Sequence, residues 1–116
     1  MRFVAVIVAL LIGTVAAFAG DPVGSYSVEG TNPGNGSTYK GTVTVERTGK
    51  TYRVVWNVAG TRYIGTGIGN DEFIAVSYKS GNDSGLALYG AKGDDWGGVW
   101  TYSGGRDVGT EVWTRE

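Results

Sequence analysis

The chain has 116 residues, ten Lys and Arg against eleven Asp and Glu, and neither His nor Cys. Without imidazole or thiol, a Ser–His–Asp triad, a thiolate nucleophile, the usual zinc ligands and a stabilising disulfide are excluded. No basic run is present, so the electrostatic footprint of a nucleic-acid binder is missing.

Residues Phe3 to Ala19 are almost wholly apolar, follow Arg2, and end Ala17-Phe18-Ala19 before Gly20-Asp21-Pro22. A short positive start, an apolar centre and an A-x-A end describe a secretory signal peptide over 1–19. The competing reading is a membrane anchor, but the run is short for a span and its flank is not basic. The mature chain, residues 20–116, is expected to be a single domain. Loss of Arg2 leaves it with a net charge of −2. It has no lipid-attachment Cys and no polybasic tail. It is therefore expected to be monomeric, free of the membrane, and secreted or periplasmic.

After residue 20 no helical periodicity appears. Short alternating stretches are divided by Gly, Asn, Asp and Ser, which is the pattern of strands and hairpins. Eight strands are predicted in chain order. The first, 24–30, sets Tyr26 and Val28 on one face. After the breaker loop TNPGNGS (31–37), the second, 38–47, gathers Tyr39, Val43 and Val45. The third, 51–58, gathers Tyr52, Val54, Trp56 and Val58. The fourth covers 61–68. The fifth, 72–79, and the sixth, 84–92, are apolar on both faces. The seventh, 95–102, gathers Trp96, Trp100 and Tyr102, and the eighth, 107–115, gathers Val108, Thr110 and Val112.

A repeat organises these strands. VWNVAGTRYIGT (55–66) and VWTYSGGRDVGT (99–110) share V-W-x3-G-x-R-x2-G-T at an offset of 44 residues. Strands three and four are thus rebuilt as strands seven and eight, giving two similar four-stranded halves. The expected fold is all-β, an eight-stranded antiparallel up-and-down barrel, because closure removes exposed sheet edges. A two-sheet β-sandwich is the alternative. Three-residue turns, Ala59-Gly60-Thr61 and Ser103-Gly104-Gly105, would oppose Trp56 to Ile64, Val58 to Arg62, Trp100 to Val108, Tyr102 to Arg106 and Trp96 to Val112.

The reactive groups that remain are carboxylates. Asp71-Glu72 and Asp94-Asp95 sit between strands, where acidic residues make turns. Solvated turns are favoured over a glycosidase-like pair or a calcium site. GNDSG (81–85) lacks the length and the final Glu of a calcium loop. The TNPGNGS loop lacks the helix and Lys of a phosphate cradle and reads instead as a contact loop. Asn35-Gly36-Ser37 and Asn82-Asp83-Ser84 are glycosylation sequons by pattern. No enzymatic activity, metal or cofactor is expected.

The aromatic residues Tyr26, Tyr39, Tyr52, Trp56, Trp96, Trp100 and Tyr102 fall on inward faces, and filling the core is their first expected role. Arg62 and Arg106 occupy equivalent repeat positions at strand ends. There they could plug the barrel by lying on aromatic rings, or clamp an anionic ligand.

Gly24-Ser25-Tyr26 resembles the G-x-W opening of the calycin barrels, the group of lipocalins and avidins, with Tyr26 in place of Trp. The mature chain also resembles a group of short exported bacterial proteins often labelled fibronectin-binding or left uncharacterised. The shared pattern is G-x-Y-x-V-x-G-x-N from Gly24, Y-x-G-T at Tyr39, and G-T-E-V-W at 109–113. Together these features lead to a non-enzymatic exported barrel acting as a protein-interaction module, adhesin- or inhibitor-like, through the 31–37 loop and Tyr63. The alternative is a calycin-like small-ligand binder with its pocket at Trp56, Arg62, Trp96, Trp100 and Arg106.

Overall fold

A computed structural model of the protein describes residues 21–116, and the signal peptide read at 1–19 lies outside the described residues. Eight strands follow in order: β1 (Gly24–Thr31), β2 (Thr38–Thr48), β3 (Thr51–Val58), β4 (Thr61–Gly69), β5 (Phe73–Ser80), β6 (Asp83–Lys92), β7 (Asp95–Tyr102) and β8 (Gly109–Arg115). Each pairs antiparallel with the next. β1 also pairs with β8, from Tyr26↔Arg115 to Thr31↔Thr110, and closes the barrel. The Thr31 and Thr110 hydroxyls share a hydrogen bond of 2.9 Å across that seam. Closure leaves no strand with an unpaired edge, so the sandwich alternative is set aside.

The meander sorts the connections between two ends. Residues 31–38, 58–61, 80–83 and 102–109 form one end, here called the mouth. The chain's first described residues, its C-terminus and the β2–β3, β4–β5 and β6–β7 turns form the other. The repeated strand pairs, β3–β4 and β7–β8, lie on opposite sides of the ring.

The hairpin registers differ from expectation. β3 and β4 meet through a two-residue turn, Ala59-Gly60, with both residues at positive φ (52° and 77°) as a type I′ turn requires. Trp56 therefore opposes Tyr63, not Ile64. β7 and β8 are joined by the longer 103–108 loop, and Trp100 opposes Gly109, not Val108. In both cases the inward face is the other one. Ile64, Val108 and Val112 are 41%, 60% and 48% exposed, whereas Tyr63, Gly65 and Gly67 on β4 and Gly109, Glu111 and Trp113 on β8 point inward.

The reason lies in the neighbouring strands. Large rings project from β2, β3, β5, β6 and β7, and each needs space beside it. Inward glycines supply that space. Tyr39 lies over Gly30, Tyr78 over Gly85, Tyr89 against Gly98, and Trp100 against Gly109. Apolar residues on β4 and β8 are displaced to the outside, where Ile68, Ala75, Leu88 and Val99 form a cross-strand row on four successive strands.

The end opposite the mouth is dry and filled. Tyr26, Val28, Val45, Tyr52, Val54, Ile74, Trp96 and Trp113 are fully or almost fully buried. Two arginines seal it. Arg115 sits 4.8 Å over the Tyr26 ring and donates to the carbonyls of Asp21, Val23 and Asp94. Arg47 sits 4.5 Å over Tyr52 and donates to its hydroxyl at 2.8 Å. Arg stacked on an aromatic ring at a strand end is thus present, but the residues are Arg47 and Arg115 and the end is opposite the mouth.

Gly65 tests the glycine–aromatic packing. A Cβ there would lie 2.6 Å from Val76 Cγ1 and 3.1 Å from Trp56 Cζ3. Gly65→Ala is expected to destabilise the barrel by about 1–3 kcal/mol through overpacking. Urea unfolding checks this; an unchanged midpoint would show that the ring does not need the glycine.

Candidate ligand-binding site

The barrel interior is filled only in the half away from the mouth. Towards the mouth it opens into a cavity of about 510 Å³. Full packing by aromatic side chains, the first role expected for them, therefore holds for one half only.

The walls of the cavity come from both copies of the repeat. Trp56 on β3 and Trp100 on β7 stand on opposite sides, and Tyr78 on β5 touches both edge to face, with ring centroids 6.0 and 6.2 Å away. Tyr39 meets Trp100 at 6.0 Å, and Tyr63 meets Tyr78 at 5.9 Å. Tyr102 completes the aromatic lining at the rim, where Asn32, Ala59, Asn82, Asp83 and Ser103 come from four different mouth connections or their strand ends.

The floor is polar. Glu111, on β8, is only 5% exposed, yet it reaches the cavity. Its Oε1 accepts three hydrogen bonds: from Trp56 Nε1 at 2.9 Å, Tyr89 Oη at 2.8 Å and Trp113 Nε1 at 2.8 Å. Its Oε2 accepts one, from the Tyr39 hydroxyl at 2.5 Å. An indole N–H can only donate, so the arrangement suits an acceptor-only carboxylate, and short O–H···O⁻ bonds belong to the strong class. Among the described residues no Lys or Arg forms an ion pair with Glu111. Beneath it the Tyr89 and Trp113 rings lie 4.2 Å apart and separate the cavity from the filled half.

Burial, reinforced by the Glu111 charge, pushes the Tyr39 and Tyr89 hydroxyls well above the ordinary 10.0. Burial, followed by Tyr63 and then Glu111, pushes Tyr78 up to about 12. All three therefore remain donors across the physiological range.

Of the five residues expected at a ligand site, the structure brings Trp56 and Trp100 together. Trp96 is fully buried beside Tyr26 and Trp113 in the filled half, away from the cavity. Its indole nitrogen is a buried side-chain polar atom without a partner among the described residues. Arg62 points outward opposite Asn57, and Arg106 is exposed in the 103–108 loop; neither lines the cavity. The carboxylate pairs lie at the far end, in or beside turns: Asn70 Oδ1 caps the backbone of Glu72 and Phe73, and Asp95, the first residue of β7, accepts from the Arg115 amide.

Sequence reasoning missed Glu111, Tyr78 and Tyr89, and it read Tyr63 as an exposed contact residue, whereas the ring is half-buried and lines the cavity against Tyr78. The signal for Glu111 was its spacing from Trp113. Two residues apart on one strand, they share a face, and a Trp belongs inside more firmly than Val112 does. No protein-family model and no curated protein matches this chain.

Two predictions follow the Glu111 network. Glu111→Ala leaves three buried donors and the Tyr39 hydroxyl without their acceptor, and is expected to cost about 3–5 kcal/mol; Glu111→Gln, which keeps one acceptor oxygen, should cost roughly 1–2 kcal/mol. Chemical denaturation reads both, and equal costs would deny the hub role. The second concerns alkali. The folded barrel holds the Tyr39, Tyr78 and Tyr89 protons more tightly than the unfolded chain does. Their contribution is thus complete below pH 10.0 and is lost as pH rises above it, for Tyr78 up to about 12. Tyrosinate absorbance should rise first for exposed rings and then together with unfolding; a single early rise in the folded state would contradict this.

Proposed function

We propose that the protein is a non-enzymatic small-ligand-binding barrel, calycin-like in architecture, that takes its ligand through the mouth. The observation that carries this reading is the cavity of about 510 Å³, walled by Trp56, Trp100 and Tyr78 and floored by Glu111. Its volume falls within the range of small-molecule pockets, and it combines apolar walls with a few convergent polar groups. An exported setting, from the signal peptide read at 1–19, suits a carrier or scavenger of small molecules.

The protein-interaction reading rested on a full interior, and half of the interior is open. Its remaining support is the outer apolar row of Ile68, Ala75, Leu88 and Val99. The two readings separate by where an apolar probe binds.

A neutral fluorescent probe, N-phenyl-1-naphthylamine, should bind with enhanced emission and accept energy from Trp56 and Trp100. Ala87 is buried and lines the cavity between Val76 and Trp100, so Ala87→Leu adds bulk at the cavity wall. This variant should remain folded, as urea unfolding checks, and weaken probe binding by about tenfold or more, since one to three buried methylene-sized contacts are replaced by a clash. Unchanged binding in Ala87→Leu would place the probe on the outside and overturn the pocket reading.

A further inference from the structure

The charge lining the cavity is of one sign. Glu111 lies at the floor and Asp83 at the rim, while among the described residues no Lys or Arg lines the space between them. The arginines that sequence reasoning offered as an anion clamp, Arg62 and Arg106, are outside it. An anionic ligand would therefore meet the buried Glu111 carboxylate at the floor and Asp83 at the exposed rim, with no countercharge among the lining residues.

The carboxylate oxygens are unequally used. Oε1 already accepts three hydrogen bonds and is saturated. Oε2 accepts only the Tyr39 hydroxyl, so it has capacity for another donor. Around it stand Tyr39, Trp56 and Tyr78, with Trp100 beyond, and aromatic faces attract cations most strongly where water is excluded. The four hydrogen bonds offset part of the cost of burying Glu111, but every donor is neutral, so the formal negative charge at the floor is uncompensated.

We infer that the ligand is an organic cation, an ammonium group on an apolar body, with the ammonium directed at Glu111 Oε2 and the body against the Trp56, Tyr78 and Trp100 rings. This rests on the pocket reading above and specifies the chemistry of its occupant. A cation there would supply the missing countercharge. Asp83 at the rim would favour its entry over that of an anion.

Three probes of matched shape separate the possibilities: 2-phenylethylammonium, the neutral 2-phenylethanol and the anionic 3-phenylpropanoate. The readout is the set of indole N–H resonances in the folded protein, one from each of its four Trp residues. The ammonium should shift the Trp56 and Trp100 signals, leave Trp96 in place, and bind about tenfold more tightly than the alcohol. The carboxylate should fail to bind. Glu111→Gln should erase the preference of ammonium over alcohol, with the same spectrum reporting whether the variant is folded. Asp83→Asn lies on the exposed rim outside the hydrogen-bonded hub and should fold normally, while weakening ammonium binding several-fold and leaving the alcohol unaffected. Should the alcohol or the carboxylate bind as tightly as the ammonium, the cation assignment is overturned and the pocket stands. If no probe moves Trp56 or Trp100 at about 10 mM, above the affinity expected of fragments this small, both fall. A folded Glu111→Gln variant that keeps the preference would overturn the role of Glu111.

Discussion

The structure depends on one buried carboxylate. Glu111 takes hydrogen bonds from Tyr39 on β2, Trp56 on β3, Tyr89 on β6 and Trp113 on its own strand, and so ties together strands from both halves of the barrel. In an apolar interior a carboxylate is tolerated only when its lone pairs are met. The reverse also holds. Two indoles and two phenols directed into the barrel interior need an acceptor, and Glu111 serves all of them. A chain without disulfides gains from this a central polar clasp in place of covalent cross-links.

The clasp also divides the interior. Its donors approach from the side and from below, and they hold Tyr89 and Trp113 as a floor. Above that floor the Tyr39, Trp100, Tyr78 and Trp56 rings brace one another in series edge to face and rest on glycines of adjacent strands, which opposes inward collapse. The cavity is thus a consequence of the same packing that stabilises the fold. Since the group that anchors the core also faces the cavity, a molecule that binds only the folded barrel there would stabilise it by mass action.

Much of the fold was legible in the sequence. Clean alternation in 24–30, 38–47 and 51–58 fixed the inward sets of β1, β2 and β3, and the repeat marked the two halves. The failures share a physical cause. On β4 and β8 the inward residues are mostly small or charged, and the outward ones are Ile and Val. Hydrophobic alternation then reports the wrong face, because the choice is made by the space neighbouring rings need and not by the strand's own apolar content. The Ala59-Gly60 turn was hidden for a related reason: Ala at positive φ is unusual, and Asn-Gly is the common signal there. Arg62 and Arg106 kept their repeat pattern, but it marks turns and outer surface. The ring-stacked arginines, Arg47 and Arg115, have no such repeat to announce them.

The repeat is most informative where it breaks. At the offset of 44, Trp56 corresponds to Trp100, but Glu111 corresponds to Gly67. Both Gly67 and Glu111 point inward, so the two halves offer equivalent positions and fill them differently. A carboxylate in both would set two like charges across one narrow interior, and at least one would have to take up a proton. A glycine in both would leave the indoles without an acceptor. One carboxylate with a glycine at the equivalent position satisfies the donors and avoids repulsion, and the glycine makes room for Ile74. The two facing Trp walls come from the symmetric part of the chain, and the negative floor comes from its asymmetric part. A ligand suited to this site would be similarly lopsided, with an extended apolar surface for two facing walls and a single charged group for one end.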